Sequence, residues 1–466
     1  MECSSRTTAG DPRSSTSFFA GLDAVRAGAA LAVVALHAGT PYLKHSMPGL
    51  TWSMRDASSP VVDFVFWSIE LMIMPIFLVV AGFFAFQSLK RGTPKSLVSS
   101  RARRLLVPLA FGVCFILPLS LYSWVLGWVI EGWVAPVKLR SLKFDGVIDR
   151  DLWGLGHLWF LQYLFTYMIV LGVGAVGLDR TSAWRSRLAV SDAAKRIAAI
   201  PRRCFLVAAW ITVAATVLWF RPNVVWGFQH AFFPVPSKWL YHGLFFAVGV
   251  ALARVDPKFA WLKSVTPRLA APAALLAAMT VLMGQWHLAG TNTEFAAAPL
   301  SVASGLADLT LAVMTASAAL ASTLAVIGLA VTYLRRNMVA VQYLAAASFW
   351  VYLVHHPILS IVHIDLKWLT PGLAPAVKAS IACAVAIGLS LATFEVFARK
   401  TRLGRLLGFD WTFPSNEVSD SKQSNDRDTN SDFEREVISI EFTGRSEPPG
   451  PSEIPSSDGI STRRAA

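Results

Sequence analysis

Apolar runs long enough to cross a lipid bilayer occur ten times in this chain of 466 residues. A membrane-spanning helix needs about 20 mostly apolar residues. Backbone groups in lipid must be satisfied within their own segment, which favours helices. The sequence therefore predicts an all-α fold, a polytopic membrane bundle of about ten transmembrane helices. The predicted spans are 20–43, 61–88, 105–130, 156–178, 204–221, 238–254, 269–288, 300–333, 339–364 and 374–398.

The composition agrees with a membrane protein and excludes several other classes. Apolar residues make up 54% of the chain and charged residues only 15%, whereas soluble domains carry about 25% charged residues. The four cysteines are far apart and show no paired spacing, which argues against a disulfide framework or a zinc site. We find no nucleic-acid-binding motif. The net charge of +13 is therefore attributed to basic loops beside the membrane lipid.

Basic residues alternate along the predicted topology. They concentrate in every second connecting segment: 1–19, 90–104, 179–203, 254–268, 334–338 and 399–411. Because Lys and Arg are enriched in cytoplasmic loops, this pattern predicts that the N and C termini are both cytoplasmic. We predict a cell (plasma) membrane location, a disordered N-terminus over 1–17, a membrane domain over 18–410 and a disordered polar tail over 411–466.

Two ionisable residues lie in the first predicted span. Arg26 and His37 are 11 residues apart, which on an α-helix is a rise of ~16.5 Å and a rotation of ~1100°, close to three full turns. Both side chains should therefore share one face. An ionisable group in the bilayer is costly and marks a candidate site. The alternative is an arginine that snorkels to the inner surface and a histidine that is hydrogen-bonded in the bundle.

All nine histidines fall in the predicted outer half of the membrane or in outer loops. His157 opens the fourth span, and the pair His355 and His356 precedes Pro357 in the ninth. A proline inside a helix frees a backbone carbonyl and can bend the helix toward a cavity. No histidine pair has a zinc-binding spacing, so the sequence predicts that the site holds no metal.

Arginines and one acid complete the set of candidate residues. Arg101 and Arg104 are three apart and share a face if the third helix begins early, and the planar guanidinium suits phosphate. Ordinary positive-inside charge is the alternative for both. Glu70 lies in an otherwise apolar helix and needs a partner, for which a cation or histidine of the first span is nearest in sequence. It could orient a catalytic histidine or form a structural salt bridge.

Tryptophans are concentrated toward the predicted outer side. An aromatic belt at the membrane interface explains much of this distribution. The remainder fits an outer vestibule in which indole rings stack on sugar rings, with the loop 131–155 at its rim.

Five segments in order along the chain resemble the acyltransferase 3 family of multi-pass membrane O-acyltransferases. The pair Arg26 and His37 is similar to the arginine–histidine signature of that family. Residues 74–84 resemble its segment ending in Ser-Gly-Phe, with Ala81 in place of the serine, and residues 101–108 resemble its arginine-x-x-arginine-leucine stretch. Residues 156–161 and 349–357 look like the branch that contains glucan succinyltransferases. The resemblance covers residues 18–410.

This resemblance implies transfer of an acyl group, commonly acetyl or succinyl, from a cytoplasmic acyl-CoA (acetyl-CoA or succinyl-CoA) to a carbohydrate hydroxyl at the outer side. We expect His37 to deprotonate that hydroxyl or to carry the acyl group itself. Arg26, Arg101 and Arg104 would bind the phosphates of coenzyme A. The remaining candidates, Glu70 with His157 or His355, would orient His37 or the sugar.

Two other classes of protein fit some of the same features. A secondary transporter of a small organic anion or polyol would also have many spans and buried polar residues. Such transporters place broken helices at matching positions of two halves, and we find no such pairing here. A receptor or scaffold that uses its C-terminal tail as an interaction arm is the third hypothesis.

Overall fold

The computed structural model describes residues 13–144, 152–179, 199–229, 231–291, 302–334, 336 and 338–408. In these ranges the chain forms α-helices joined by short turns and contains no β-strand, so the predicted all-α class is confirmed. The predicted tail over 411–466 lies outside the described residues. The helices are α1 (Arg13–Gly39), α2 (Pro60–Arg91), α3 (Pro94–Phe111), α4 (Leu117–Ile130), α5 (Trp159–Asp179), α6 (Ala199–Phe220), α7 (Pro236–Val255), α8 (Ala260–Thr291), α9 (Val302–Tyr333), α10 (Val339–Leu369), α11 (Pro375–Thr393) and α12 (Arg402–Leu406).

Eight segments of the described chain are long and apolar enough to cross a membrane. They coincide with eight of the ten predicted spans, and α3 and α4 form one of them through the π-helical turn Gly112–Ile116. The two other predicted spans are also helical. The apolar part of α6 is short, covering Cys204–Phe220, and α7 is made less apolar by Lys238, His242 and Arg254. The chain is thus a polytopic helical membrane protein.

Four helices form the centre of the bundle. In α1, α2, α9 and α10 more than half of the apolar stretch is buried within the protein, against about a third or less in α3–α4, α5, α8 and α11. In α10 the buried share reaches 72%. This explains how the adjacent residues His355 and His356, about 100° apart around the helix, are both buried. The less buried helices, α3–α4, α5, α8 and α11, surround these four and face the lipid with their apolar side chains.

Helices α2 and α7 cross at two glycines. A Cβ added at Gly82 would lie 2.2 Å from the Phe246 carbonyl oxygen, and one added at Gly249 would lie 2.0 Å from the Val79 carbonyl oxygen. No side chain fits at either position without moving a helix, since the atoms in the way belong to backbone. The contact matters for the site because α2 carries Glu70 and α7 carries Lys238.

We predict that Gly249→Val destabilises the protein by about 2–4 kcal/mol, because the added side chain overpacks a backbone contact. Thermal unfolding of the detergent-solubilised protein, followed by size-exclusion chromatography, measures this change. Gly174→Val is the matched control, because an added Cβ there meets nothing within 4 Å. Equal melting temperatures for the two variants would show that the helices do not approach at Gly249.

Candidate active site

His37 lies on α1 with its imidazole oriented by its own helix. Its Nδ1 lies 2.9 Å from the carbonyl oxygen of Val33, one turn earlier. A carbonyl can only accept, so Nδ1 carries the proton and Nε2 keeps a lone pair. The ring is half-buried. A neutral imidazole held in this tautomer can accept a proton at Nε2.

His37 belongs to a cluster of four histidines from three parts of the chain. Its ring centroid lies 5.1 Å from that of His355 and 4.5 Å from that of His356. The ring of His157 stacks on His356 at 4.2 Å. His355 donates from Nδ1 to Val351, and its Nε2 lies 3.2 Å from Nδ1 of His37. Three of the sequence candidates, His37, His157 and His355, are therefore brought together.

The position of Pro357 accounts for the orientation of His157. A proline cannot donate to the carbonyl four residues earlier, which here belongs to Leu353. Nε2 of His157 lies 3.2 Å from that carbonyl oxygen and donates to it. The Tyr352 hydroxyl in turn donates to the His157 carbonyl. The carbonyl released by the proline thus fixes one imidazole of the cluster.

Arginines line a cavity of about 250 Å³ beside Arg26, in the middle of α1 and on the N-terminal side of His37. We call it the arginine cavity, and its basic residues are Arg26, Arg91, Arg101 and Arg104. Because α3 begins at Pro94, with Thr93 and Ser96 forming a capping box, Arg101 and Arg104 share a face as the sequence predicted. Arg26 also forms an ion pair with Asp23 at 3.2 Å. Exposed Arg103 lies on another face of α3.

A smaller cavity of about 60 Å³ lies beside the histidine cluster. Its polar walls are His37, Glu70, Trp124, His157, Lys238, His242, Tyr352 and His356, and we call it the histidine cavity. Glu70 makes no hydrogen bond to His37, whose Nδ1 is engaged by Val33. The cation that lines this cavity with Glu70 is Lys238 of α7, not a residue of α1 as the sequence suggested.

A third cavity, of about 210 Å³, lies beyond the C-terminal end of α1. Three tryptophans, Trp52, Trp128 and Trp133, line it together with Arg55 and several hydroxyl groups. We call it the tryptophan cavity. Nε1 of Trp52 donates to Nδ1 of His363, and the ring of Trp52 packs 4.9 Å from that of His356. Trp52 therefore stands between this cavity and the histidine cluster.

The three cavities lie in one line along α1. Met74 and Tyr352 are walls of both the arginine and the histidine cavity. Met47 and Leu50 are walls of both the histidine and the tryptophan cavity. Arg26 lines the arginine cavity and His37 lines the histidine cavity. The helix face that the sequence predicted for both residues therefore borders two neighbouring cavities rather than one.

One ring nitrogen from each of His37, His355 and His356 lies within 4.8 Å of the other two. Such a group could hold a metal ion. However, His37 and His355 use Nδ1 as a donor to helix carbonyls, and Nε2 of His355 faces Nδ1 of His37. These contacts satisfy two of the three imidazoles without a metal. The metal-free site stays a prediction.

Sequence reasoning missed Lys238 and the position of Trp52. Lys238 is only 6% exposed, and the signal that could have found it is a charged residue at the first position of the predicted span 238–254. Trp52 lies in the connection after α1, where one tryptophan among many in the outer half carried no distinguishing signal.

Comparison with known proteins places this site in a family. A family model described as an acyltransferase domain, acyltransferase 3, matches residues 19–395, which include every residue of the histidine cluster. Searches of curated proteins and of solved structures found no match. Because the family match covers most of the chain, from within α1 to just past the end of α11, the protein belongs to the acyltransferase 3 family of multi-pass membrane acyltransferases.

Proposed function

We propose that the protein transfers an acyl group, acetyl or succinyl, from acyl-CoA to a carbohydrate hydroxyl, with His37 as the base. The observation that carries this proposal is the line of three cavities, in which a basic cavity and a tryptophan-lined cavity flank a histidine held in a proton-accepting tautomer. The same proposal includes three further points. The protein belongs to the glucan succinyltransferase branch, the donor binds from the inner side, and the protein lies in the cell membrane.

The donor fits the arginine cavity by charge. Guanidinium groups bind phosphate oxygens through paired charge-assisted hydrogen bonds. If the phosphates of coenzyme A bind at Arg26, Arg101 and Arg104, the pantetheine arm extends past Met74 and Tyr352. The thioester carbon would then reach the histidine cavity.

The acceptor fits the tryptophan cavity by shape and surface. A sugar ring is apolar on its faces and polar on its edge, so indole faces with nearby hydroxyl groups suit it. The tryptophan cavity, of about 210 Å³, offers more room for a ring than the histidine cavity, of about 60 Å³. The acceptor oxygen would approach His37 past Trp52.

In the transfer step, Nε2 of His37 removes the proton from the acceptor hydroxyl. At the same time the oxygen of that hydroxyl bonds to the thioester carbon. The carbon–sulfur bond then breaks, and the coenzyme A thiolate leaves with the proton from His37. His355 and His157 keep the rings of the cluster in place through their carbonyl bonds. General-base catalysis of this kind contributes about 10²–10⁴-fold.

The test is to incubate the purified protein in nanodiscs with a panel of acyl-CoA donors and carbohydrate acceptors. Mass spectrometry of the acceptor should show an added ester, whose mass names the acyl group. Absence of both ester formation and acyl-CoA consumption over the whole panel would contradict the proposal, and uptake of a solute without acyl-CoA would favour the transporter hypothesis.

We predict that Arg104→Gln raises the KM for the acyl-CoA donor about tenfold or more, because a charge-assisted hydrogen bond is worth about 1.5–3 kcal/mol. The KM for the acceptor should not change. Arg103→Gln is the matched control, since Arg103 is exposed on the same helix. Equal effects of the two substitutions would mean that general basic charge, not the arginine cavity, attracts the donor.

A further inference from the structure

The histidine cavity contains a buried cation whose ammonium meets no hydrogen-bond acceptor in the described part of the chain. Lys238 is 6% exposed, and its Nζ lies 3.7 Å from the ring centroid of Trp159 and 5.0 Å from that of Phe228. Ring faces stabilise a cation but take none of its three N–H donors. Burial of an ammonium without acceptors is costly, so its retention calls for an explanation.

A second donor in the same wall is also unsatisfied. Trp124 lines the histidine cavity and is 6% exposed. Its indole N–H finds no acceptor among the residues that the structure describes. An indole N–H only donates. Buried polar groups are nearly always paired, and the exceptions are often functional.

The cavity wall carries hydrogen-bond acceptors as well as donors. Glu70 lines the same cavity. His242 uses Nδ1 on the carbonyl of Lys238 itself, and His157 uses Nε2 on Leu353. The ring nitrogens that do not donate keep lone pairs, whereas Lys238 supplies a cation and Trp124 an N–H without a partner in the described part of the chain. These two groups favour a ligand that accepts hydrogen bonds and gains negative charge.

The size of the cavity limits which group this is. With a volume of about 60 Å³, it is the smallest of the three cavities in the line. A thioester carbonyl and its neighbouring atoms are small enough to enter it. His37 lines the same cavity, so the carbonyl under attack and the donors of Lys238 and Trp124 would meet in one small space.

We infer that Lys238 is a further catalytic residue, which with the Trp124 N–H stabilises the oxyanion formed during acyl transfer. The inference rests on the proposed function. When the acceptor oxygen bonds to the thioester carbon, the carbonyl π electrons move to its oxygen and the acceptor proton moves to His37. When the carbon–sulfur bond breaks, these electrons re-form the carbonyl. Lys238 stays protonated throughout and donates to the oxygen that carries the charge.

Donors placed where charge develops act only in the transition state. Loss of one such donor typically lowers kcat about 10²–10³-fold. We expect Lys238→Met to lower kcat by this factor with every acyl-CoA that the wild type uses, with the donor KM and the affinity for a non-hydrolysable thioether analogue unchanged. Trp124→Phe, which keeps a ring and removes the N–H, should lower kcat by at least tenfold in the same way.

The experiment compares wild type, Lys238→Met, Trp124→Phe and the exposed control Lys258→Met with acetyl-CoA and succinyl-CoA, after chromatography has shown which variants fold. Loss confined to succinyl-CoA would overturn the inference, because Lys238 would then bind the carboxylate of the acyl group. Unchanged kcat, or a rise in KM alone, would overturn it too. If Lys238→Met does not fold, an unchanged kcat in Trp124→Phe would overturn the inference. A wild type inactive with all donors would refute the proposed function instead.

Discussion

Replacing His37 by alanine is expected to lower the rate of acyl transfer about 10³-fold or more. The substitution removes the only group that we assign as the proton acceptor, and general-base catalysis contributes about 10²–10⁴-fold. It also removes the ring that His355 contacts at 3.2 Å. Ester formation by the purified variant, measured by mass spectrometry at saturating donor and acceptor, gives the change in kcat.

The loss should be one of chemistry and not of folding. His37 is half-buried beside a cavity, so its removal leaves the helix contacts of α1 in place, and the affinity for acyl-CoA should be retained. His287→Ala is the matched control, because His287 pairs with Asp308 at 3.3 Å and lines none of the three cavities. A His37→Ala variant with wild-type turnover would refute the role of His37.

The second large effect is expected at Met74, which separates the arginine cavity from the histidine cavity. Met74→Trp should reduce transfer at least about 10²-fold, because a bulky ring in the wall common to both cavities stops the thioester short of His37. A displacement of about 1 Å from the reactive geometry can already cost this factor. The phosphates should still bind at the arginines, so the affinity for free coenzyme A is expected to stay within a few-fold of wild type.

Met74→Leu is the control for this substitution, since exchange of methionine and leucine nearly conserves volume and is well tolerated. It should keep most of the activity. If Met74→Trp transferred acyl groups at the wild-type rate, the donor would have to reach His37 by a route other than the arginine cavity.

Properties that depend on local sequence were predictable. Apolar length gave the all-α class and the helices, because the bilayer forces each spanning segment to satisfy its own backbone. Helical periodicity put Arg101 and Arg104 on one face of α3. Pro357 predicted a released carbonyl, and the structure shows that this carbonyl accepts from His157.

Contacts between distant segments were not predictable in the same way. Glu70 shares its cavity with Lys238, which lies 168 positions further along the chain on a helix that packs closely against α2 at two glycines. Trp52 reaches the histidines through a loop whose path is set by bonds such as that from Trp128 to the Trp52 carbonyl. Periodicity within one helix carries no information on such pairings.

Transfer across the bilayer by proteoliposomes tests most directly whether His37 joins a donor and an acceptor that arrive from opposite ends of α1. Acyl-CoA is sealed on the side of the arginine cavity, the carbohydrate acceptor is added only on the other side, and the ester is measured on the acceptor. We predict that ester forms with wild type and not with His37→Ala. Ester that appears only when both substrates share one side would contradict the central role of the three-cavity line.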